Sequence, residues 1–197
     1  MKTLPIKKFE NIKVLVLSSE RSVFSIEQLA RLTSTNNATA KAYVYQLVNA
    51  GLATRLQRGK ITFSSDDLVN ASQMMEPAYI SVWSALYYHH VVNQAPAKTF
   101  CVTPIRTLNV DDLGFYYHKI PNALFYGFET IRENNTFFNM ATKEKAVIDM
   151  VYLNIISPAE IREITKYTSK IKMRALIARY QGHGSKRLRD ALLHADI

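Results

Sequence analysis

The sequence predicts an α+β protein, and three observations predict it. Residues 9–50 carry three apolar repeats at helical spacing, and residues 52–64 then alternate through a basic stretch that turns at Arg58-Gly59. Residues 99–140 hold four short runs with strand-like composition, separated by turn residues. Residues 142–194 return to helical spacing, and the last two helices are basic. The expected layout is a three-helix-and-hairpin domain over 1–76, then an α+β domain over 77–197 with a small sheet and basic C-terminal helices. Pro77 breaks the connecting helix and marks the boundary.

The first helix covers 9–19, with Phe9, Ile12, Leu15 and Val16 on one side. A short second helix covers 25–32. Ser25 suits its N-cap, and Gln28 three residues on completes a capping box. Thr33-Ser34-Thr35-Asn36 is turn and cap chemistry, and a third helix runs over 36–50 until Gly51 ends it. Two strands follow at 52–57 and 60–64. Their alternation turns Leu56, Ile61 and Phe63 inward and Arg55, Gln57 and Lys60 outward. A connecting helix runs from Ser64-Ser65-Asp66-Asp67 through Met75. In the second domain the expected elements are an aromatic helix over 79–92, strands near 99–104, 113–119, 124–128 and 136–140, and a strong helix over 142–155. Another helix begins at Ser157-Pro158, and basic helices cover about 170–180 and 184–194.

The order of three helices and a basic hairpin is that of a winged helix-turn-helix. In the third helix Ala40, Val44, Leu47 and Val48 share one face and pack inward. The opposite face holds Thr35, Ala38, Thr39, Ala42, Tyr45, Gln46 and Asn49, with no acidic residue. Its N-terminal half is small, so the helix can sit deep in a major groove. Asn36, Asn37, Thr39 and Gln46 suit base edges or phosphates, and Lys41 on the flank reaches a phosphate. Arg55, Arg58 and Lys60 place cations at the hairpin, where a wing meets the backbone or the minor groove. The DNA-binding candidates are therefore Thr35, Asn36, Asn37, Thr39, Lys41, Tyr45, Gln46, Arg55, Arg58 and Lys60. A winged helix also serves as a protein-interaction module; the uncharged outer face of the third helix, coupled to the basic hairpin, is what favours DNA.

Charge agrees with a polyanionic partner. The chain has 25 Lys+Arg against 16 Asp+Glu, a net +9. Residues 1–70 hold ten basic and five acidic residues, residues 162–194 hold nine and two, and the middle is slightly acidic. The basic tail, with Lys170, Lys172, Arg174, Lys186 and Arg187, reads either as a solvated surface or as an auxiliary phosphate-binding surface facing the same duplex. A single cysteine, Cys101, excludes an internal disulfide frame and any multi-cysteine zinc site. No stretch reaches the roughly 18 apolar residues that a membrane helix needs, and the N-terminus lacks a signal-peptide core. A soluble, cytoplasmic protein with no membrane partner is expected.

Two motifs resemble a known family. They are Tyr79, Ile80, Ser81, Ser84, Ala85, Leu86 and Tyr88, then Ala141, Thr142, Glu144, Lys145, Ala146, Asp149, Tyr152 and Leu153. With the N-terminal domain, this is similar to the AbiEi antitoxins of type IV toxin-antitoxin and abortive-infection systems. The resemblance covers nearly the whole chain. His90 stands where a Gly often ends the helix, and Lys143 where Pro is common. The resemblance implies a winged helix that binds inverted repeats in the operon's own promoter and represses it. It also implies a second domain that counters a nucleotidyltransferase-like toxin, without need of a stable complex. Binding to inverted repeats implies two copies on DNA.

The motif residues have structural readings of their own. Thr142 is a natural N-cap, Glu144 favours the positive helix end, and Lys145 and Asp149 stand four apart and can pair. Tyr79, Trp83, Tyr87 and Tyr88 read as a core and interface belt or as a ligand pocket. The second alternative would make the protein a winged-helix regulator with a small-molecule sensor. His89 and His90 point about 100° apart on a helix, so they do not jointly ligate a metal. An enzyme is not expected, and neither is a cofactor or a metal. There is no Gly-rich phosphate loop, no paired-carboxylate motif and no Cys/His nucleophile arrangement. Asp111-Asp112 reads as a turn, and Gly184-Ser185 runs into Lys-Arg-Leu-Arg rather than the paired acids of a nucleotidyltransferase.

Overall fold

A computed structural model describes residues 6–180, 186 and 188–190, with side chains from Glu10 onward. The fold is mixed α+β. The chain divides into two units: Met1–Glu76 with Ile131–Phe138, and Pro77–Thr130 with Asn139–Ile197.

Local signals build the first unit. Helix α1 spans Ile6–Ser18, strand β1 Val23–Ser25, helix α2 Ile26–Leu32 and helix α3 Asn37–Asn49. Ser25 and Gln28 close a reciprocal capping box at the start of α2. Asn36 caps α3 by accepting the Thr39 amide at 2.8 Å. Helix α3 ends when Gly51 takes φ +68 and Leu52 donates to the Leu47 carbonyl at 2.9 Å, which satisfies carbonyls the helix would leave open. Strands β2 (Thr54–Gln57) and β3 (Lys60–Thr62) form the hairpin, with Gly59 at φ +81 in its turn. The antiparallel sheet order is β1-β3-β2, with Phe24 opposite Ile61. Strand β1 has no counterpart in the sequence reading. Ile12, Val16, Phe24, Leu29, Val44, Leu47, Ala53 and Ile61 form the core. Helix α4 (Asp67–Met74) follows, and the amide of its buried Gln73 is satisfied at both ends. It accepts the Ser22 and Val23 amides and donates to Thr136 Oγ1 and the Phe137 carbonyl.

The second unit carries strand β4 (Tyr79–Ile80), helix α5 (Val82–Tyr88), strands β5 (Thr99–Thr103), β6 (Leu108–Val110) and β7 (Phe115–Lys119), then the hairpin β8 (Phe128–Glu133) and β9 (Thr136–Ala141). The sheet order is β6-β7-β5-β4-β9-β8, and residues 131–138 of the hairpin belong with the first unit. Helices α6 (Lys143–Leu153), α7 (Pro158–Thr165) and α8 (Lys170–Ile177) complete it. Thr142 caps α6, and Asn154 closes it at φ +59. Ser157 and Glu160 form a second capping box at α7.

Three expectations are corrected. Residues 79–92 are not one helix. Tyr79 and Ile80 pair antiparallel with β5, Ile80 pairs parallel with Met140 of β9, and the chain turns into α5 through Val82 at φ +56. Tyr79 and Ile80 point to opposite faces of the sheet and both are fully buried, so the apolar run carries no alternation to betray the strand. Residues 124–128 are not a strand either. A 3-10 turn covers Asn122–Leu124, and β8 begins only at Phe128. Between them Gly127 sits at φ +79, and a Cβ there would lie 3.1–3.2 Å from the Lys145 stem, so glycine is demanded twice over. Third, Leu108–Val110 is a strand, β6, where the sequence pattern places none. The expected helix over 184–194 falls mostly outside the described residues, of which 186 and 188–190 are helical.

Candidate nucleic-acid interface

The exposed ridge of α3 follows from its buried one. Ala40, Val44 and Leu47 are at most 2% exposed, so the helix turns Ala38, Lys41, Ala42, Tyr45 and Asn49 outward. Tyr45 is 48% exposed. Asn37 is exposed at the first turn, while Thr39 and Gln46 are half-buried at the ridge's edge. Thr35 and Asn36 have structural work. Thr35 Oγ1 lies 2.9 Å from Thr33 Oγ1, its amide donates to the Ala30 carbonyl at 2.8 Å, and Asn36 is the cap. They set the α2–α3 turn and present Asn37, Lys41 and Tyr45. Glu27 is the acid beside this ridge. Its carboxyl is held below the ordinary range by its own backbone hydrogen bond first, then by Ser25, with smaller pulls from Arg31 and Lys41. Arg31 is exposed on α2, a cation the sequence reading missed. Its signal was its place four residues after Glu27, on the same helix face.

At the hairpin, Arg55 and Arg58 are exposed. Lys60 is a correction: it does not point out. Its ammonium donates to the Met74 carbonyl at the end of α4, and burial is the main cause that lowers its pKa, opposed by nearby Glu76 and reinforced by Arg21. Arg21 in turn grips Glu76 through two bonds, at 2.6 and 3.1 Å. The helix C-terminus supplies an acceptor that the strand pattern alone cannot show. The cationic tip is therefore Arg55 and Arg58.

A second cationic surface lies on α8. Ser169 caps the helix, and its amide donates to Glu144 at 3.0 Å. Met173 and Ile177 are buried, so Lys170, Lys172 and Arg174 face outward together with Ile171, which is 81% exposed. Lys166 is neutralised by Glu163 at 2.8 Å. Lys186 is exposed, and Arg187 lies outside the described residues.

The two motifs singled out in the sequence meet in the interior of the second unit. Lys145 and Asp149 are fully buried, and their charged atoms are 2.7 Å apart. The contact is an ion pair, without the angle of a hydrogen bond. Lys145 Nζ also donates to the Leu124 carbonyl at 2.9 Å and to Tyr180 Oη at 2.7 Å. The Tyr126 ring centroid lies 4.8 Å from the ammonium and that of Tyr180 5.1 Å. Asp149 Oδ2 accepts from Tyr79 at 2.9 Å and Ser81 at 2.8 Å. Burial, then Asp149, pushes the Tyr79 phenol well above its usual value, and burial pushes the Cys101 thiol up. His89 Nε2 donates to the Ala141 carbonyl at 2.8 Å. No cluster of three or more metal-ligating side chains occurs among the described residues, and no helix among them is long and apolar enough to cross a membrane.

No protein-family model matches the chain, and no curated protein matches it. Among solved structures, the chain is similar to the crystal structure of the RV2827C protein from Mycobacterium tuberculosis. The TM-score is 0.57 at 12% identity, over 99% of this chain and 79% of that one. At this identity the likeness extends to the fold: the α+β arrangement described above is shared with a protein of nearly unrelated sequence.

Proposed function

We propose that the chain is a DNA-binding antitoxin of a type IV toxin-antitoxin system. In this reading it represses its own operon through an N-terminal winged helix-turn-helix and counters a nucleotidyltransferase-like toxin through its second unit. The carrying observation is the acid-free outer ridge of α3, with Lys41 and Tyr45 exposed, followed in the chain by a hairpin whose tip bears Arg55 and Arg58. The order α1, β1, α2, α3, β2, β3, with β1 joining the hairpin in one sheet, supports the winged-helix reading. In it α3 reads the major groove, Arg31, Arg55 and Arg58 hold phosphates, and α8 adds phosphate contacts. The antitoxin half rests on the AbiEi resemblance. The residues that carry it, Tyr79, Ser81, Lys145 and Asp149, are buried together, so they support a shared fold rather than a shared reaction. The protein then acts by binding and is not an enzyme.

The test is a gel shift on the DNA just upstream of the gene against a scrambled duplex of equal length, at two salt concentrations. Specific retention in two steps supports paired half-sites. Equal, salt-sensitive binding to both duplexes would remove the repressor claim. The role of α8 has its own readout. Replacing Lys170, Lys172 and Arg174 together by Gln should reduce the salt slope of binding by about 0.9 for each phosphate that the helix no longer neutralises. An unchanged slope would make α8 a solvated surface only.

A further inference from the structure

The middle of the α3 ridge is apolar, although cations flank the helix. Ala38, Ala42 and Tyr45 are exposed, and Tyr45 leaves 48% of its surface to water. At about 100° per residue the three lie within about 60° of one another around the helix axis, and about 160° from the mean direction of the buried Ala40, Val44 and Leu47. Lys41 falls about 70° to one side of them, and Thr39 and Gln46 are half-buried on the other side. Asn36 gives its side chain to the cap. No arginine, aspartate or glutamate occurs on α3.

We infer that the Tyr45 ring selects thymine by contact with its 5-methyl group, so that the middle of each half-site under α3 is A·T and not G·C. This rests on the reading of α3 as the major-groove helix, and it names the base that the helix prefers. In that groove each base pair shows a distinct edge. Guanine presents two acceptors and is read by arginine or lysine, and cytosine presents an amino donor and is read by aspartate or glutamate. The centre of the ridge carries none of these groups. Against a G·C pair its apolar surface would take water from polar edge atoms and supply no hydrogen bond in exchange, which is unfavourable. Thymine brings a methyl group to the same groove, and an apolar side chain buries it. Ala38 and Ala42 are small enough to let the helix approach closely, and the tyrosine ring is the large apolar surface that then meets the methyl.

Selection of duplexes from a random library by the full chain is the test, followed by chemistry on the enriched duplex. The enriched half-site should contain thymine. Remaking it with deoxyuridine at one thymidine at a time removes a methyl group and leaves base pairing intact. At the contacted position the exchange should weaken binding by about 4-fold, the value of one buried methyl group. Tyr45→Ala should bind the thymidine and deoxyuridine forms alike, within about 2-fold, because the methyl has lost its cover. Tyr45→Phe should keep the wild-type ratio, since the ring and not the hydroxyl makes the contact. Tyr45 is exposed, so both variants should keep the wild-type circular dichroism spectrum. An enriched half-site of G·C pairs alone, binding indifferent to every deoxyuridine, a ratio that survives Tyr45→Ala, or a Tyr45→Phe variant that loses it would each overturn the inference and leave DNA binding standing. Failure to enrich any duplex would instead remove the DNA reading itself, and this inference with it.

Discussion

Asp149→Ala is expected to destabilise the chain by about 3–5 kcal/mol, because it leaves a buried ammonium without its counter-charge. Lys145 and its partner are fully buried, so water does not replace the missing carboxylate. The substitution also strands Tyr79 and Ser81, whose hydroxyls donate to Asp149 Oδ2, and each unpaired buried hydroxyl costs a further ~1–3 kcal/mol, within or beyond that range as the site relaxes. Asp149→Asn keeps an acceptor for both hydroxyls and removes only the charge, so it should cost less. The double change Lys145→Met with Asp149→Leu removes both charges and should recover part of the stability. Recovery stays incomplete because Tyr79, Ser81, Tyr180 and the Leu124 carbonyl are left without partners. Equilibrium denaturation with urea reads all four proteins on one scale. A cost below about 1 kcal/mol for Asp149→Ala would mean that the pair is solvated in the folded protein, and would refute its burial.

This pair shows how far the sequence carries. The spacing of Lys145 and Asp149 on a helix was legible, because i,i+4 neighbours follow from the chain alone. Their burial was not. The Leu124 carbonyl and the Tyr180 hydroxyl that satisfy the ammonium come from 21 and 35 residues away, and nothing local specifies that approach. Gly127 is similar: its place in a Tyr-Gly-Phe run reads as a strand, yet its glycine is required by the Lys145 stem of another element.

The caps were legible for the opposite reason. Ser25 with Gln28, Asn36, Gly51 and Thr142 act on backbone groups within a few residues, so residue type at a fixed offset is the whole signal. Strand β1 was invisible because three residues give no period, and only its pairing with β3 makes it a strand. Tyr79-Ile80 was absorbed into a helical pattern because its partners lie in β5 and β9. At the candidate interface, the inward and outward sides of α3 were read from periodicity, whereas Asn36, counted there as a DNA contact, commits its side chain to the cap, and Asn37, Lys41 and Tyr45 are the residues left exposed on the ridge.

Arg58 and Lys60 should part company when each is tested for DNA binding, although they sit two residues apart in one basic run. Arg58→Glu removes an exposed cation at the hairpin turn and sets a carboxylate against the phosphates. At moderate salt it should weaken retention of the upstream duplex by about 10- to 100-fold, with the circular dichroism spectrum and thermal midpoint unchanged. Lys60→Met should change affinity by less than about 3-fold, because the ammonium is turned back to the Met74 carbonyl and has no free charge to offer a phosphate. Lys60→Glu is different again. It places a carboxylate against the carbonyl end of α4 and beside Glu76, so the hairpin loses its anchor and the thermal midpoint falls before DNA is added. A gel shift and a melting curve on the three variants separate the two roles. Equal weakening of binding by Arg58→Glu and Lys60→Met would put Lys60 at the duplex after all. Full binding by Arg58→Glu would take Arg58 out of the interface and leave Arg55 as the hairpin's cation to test next.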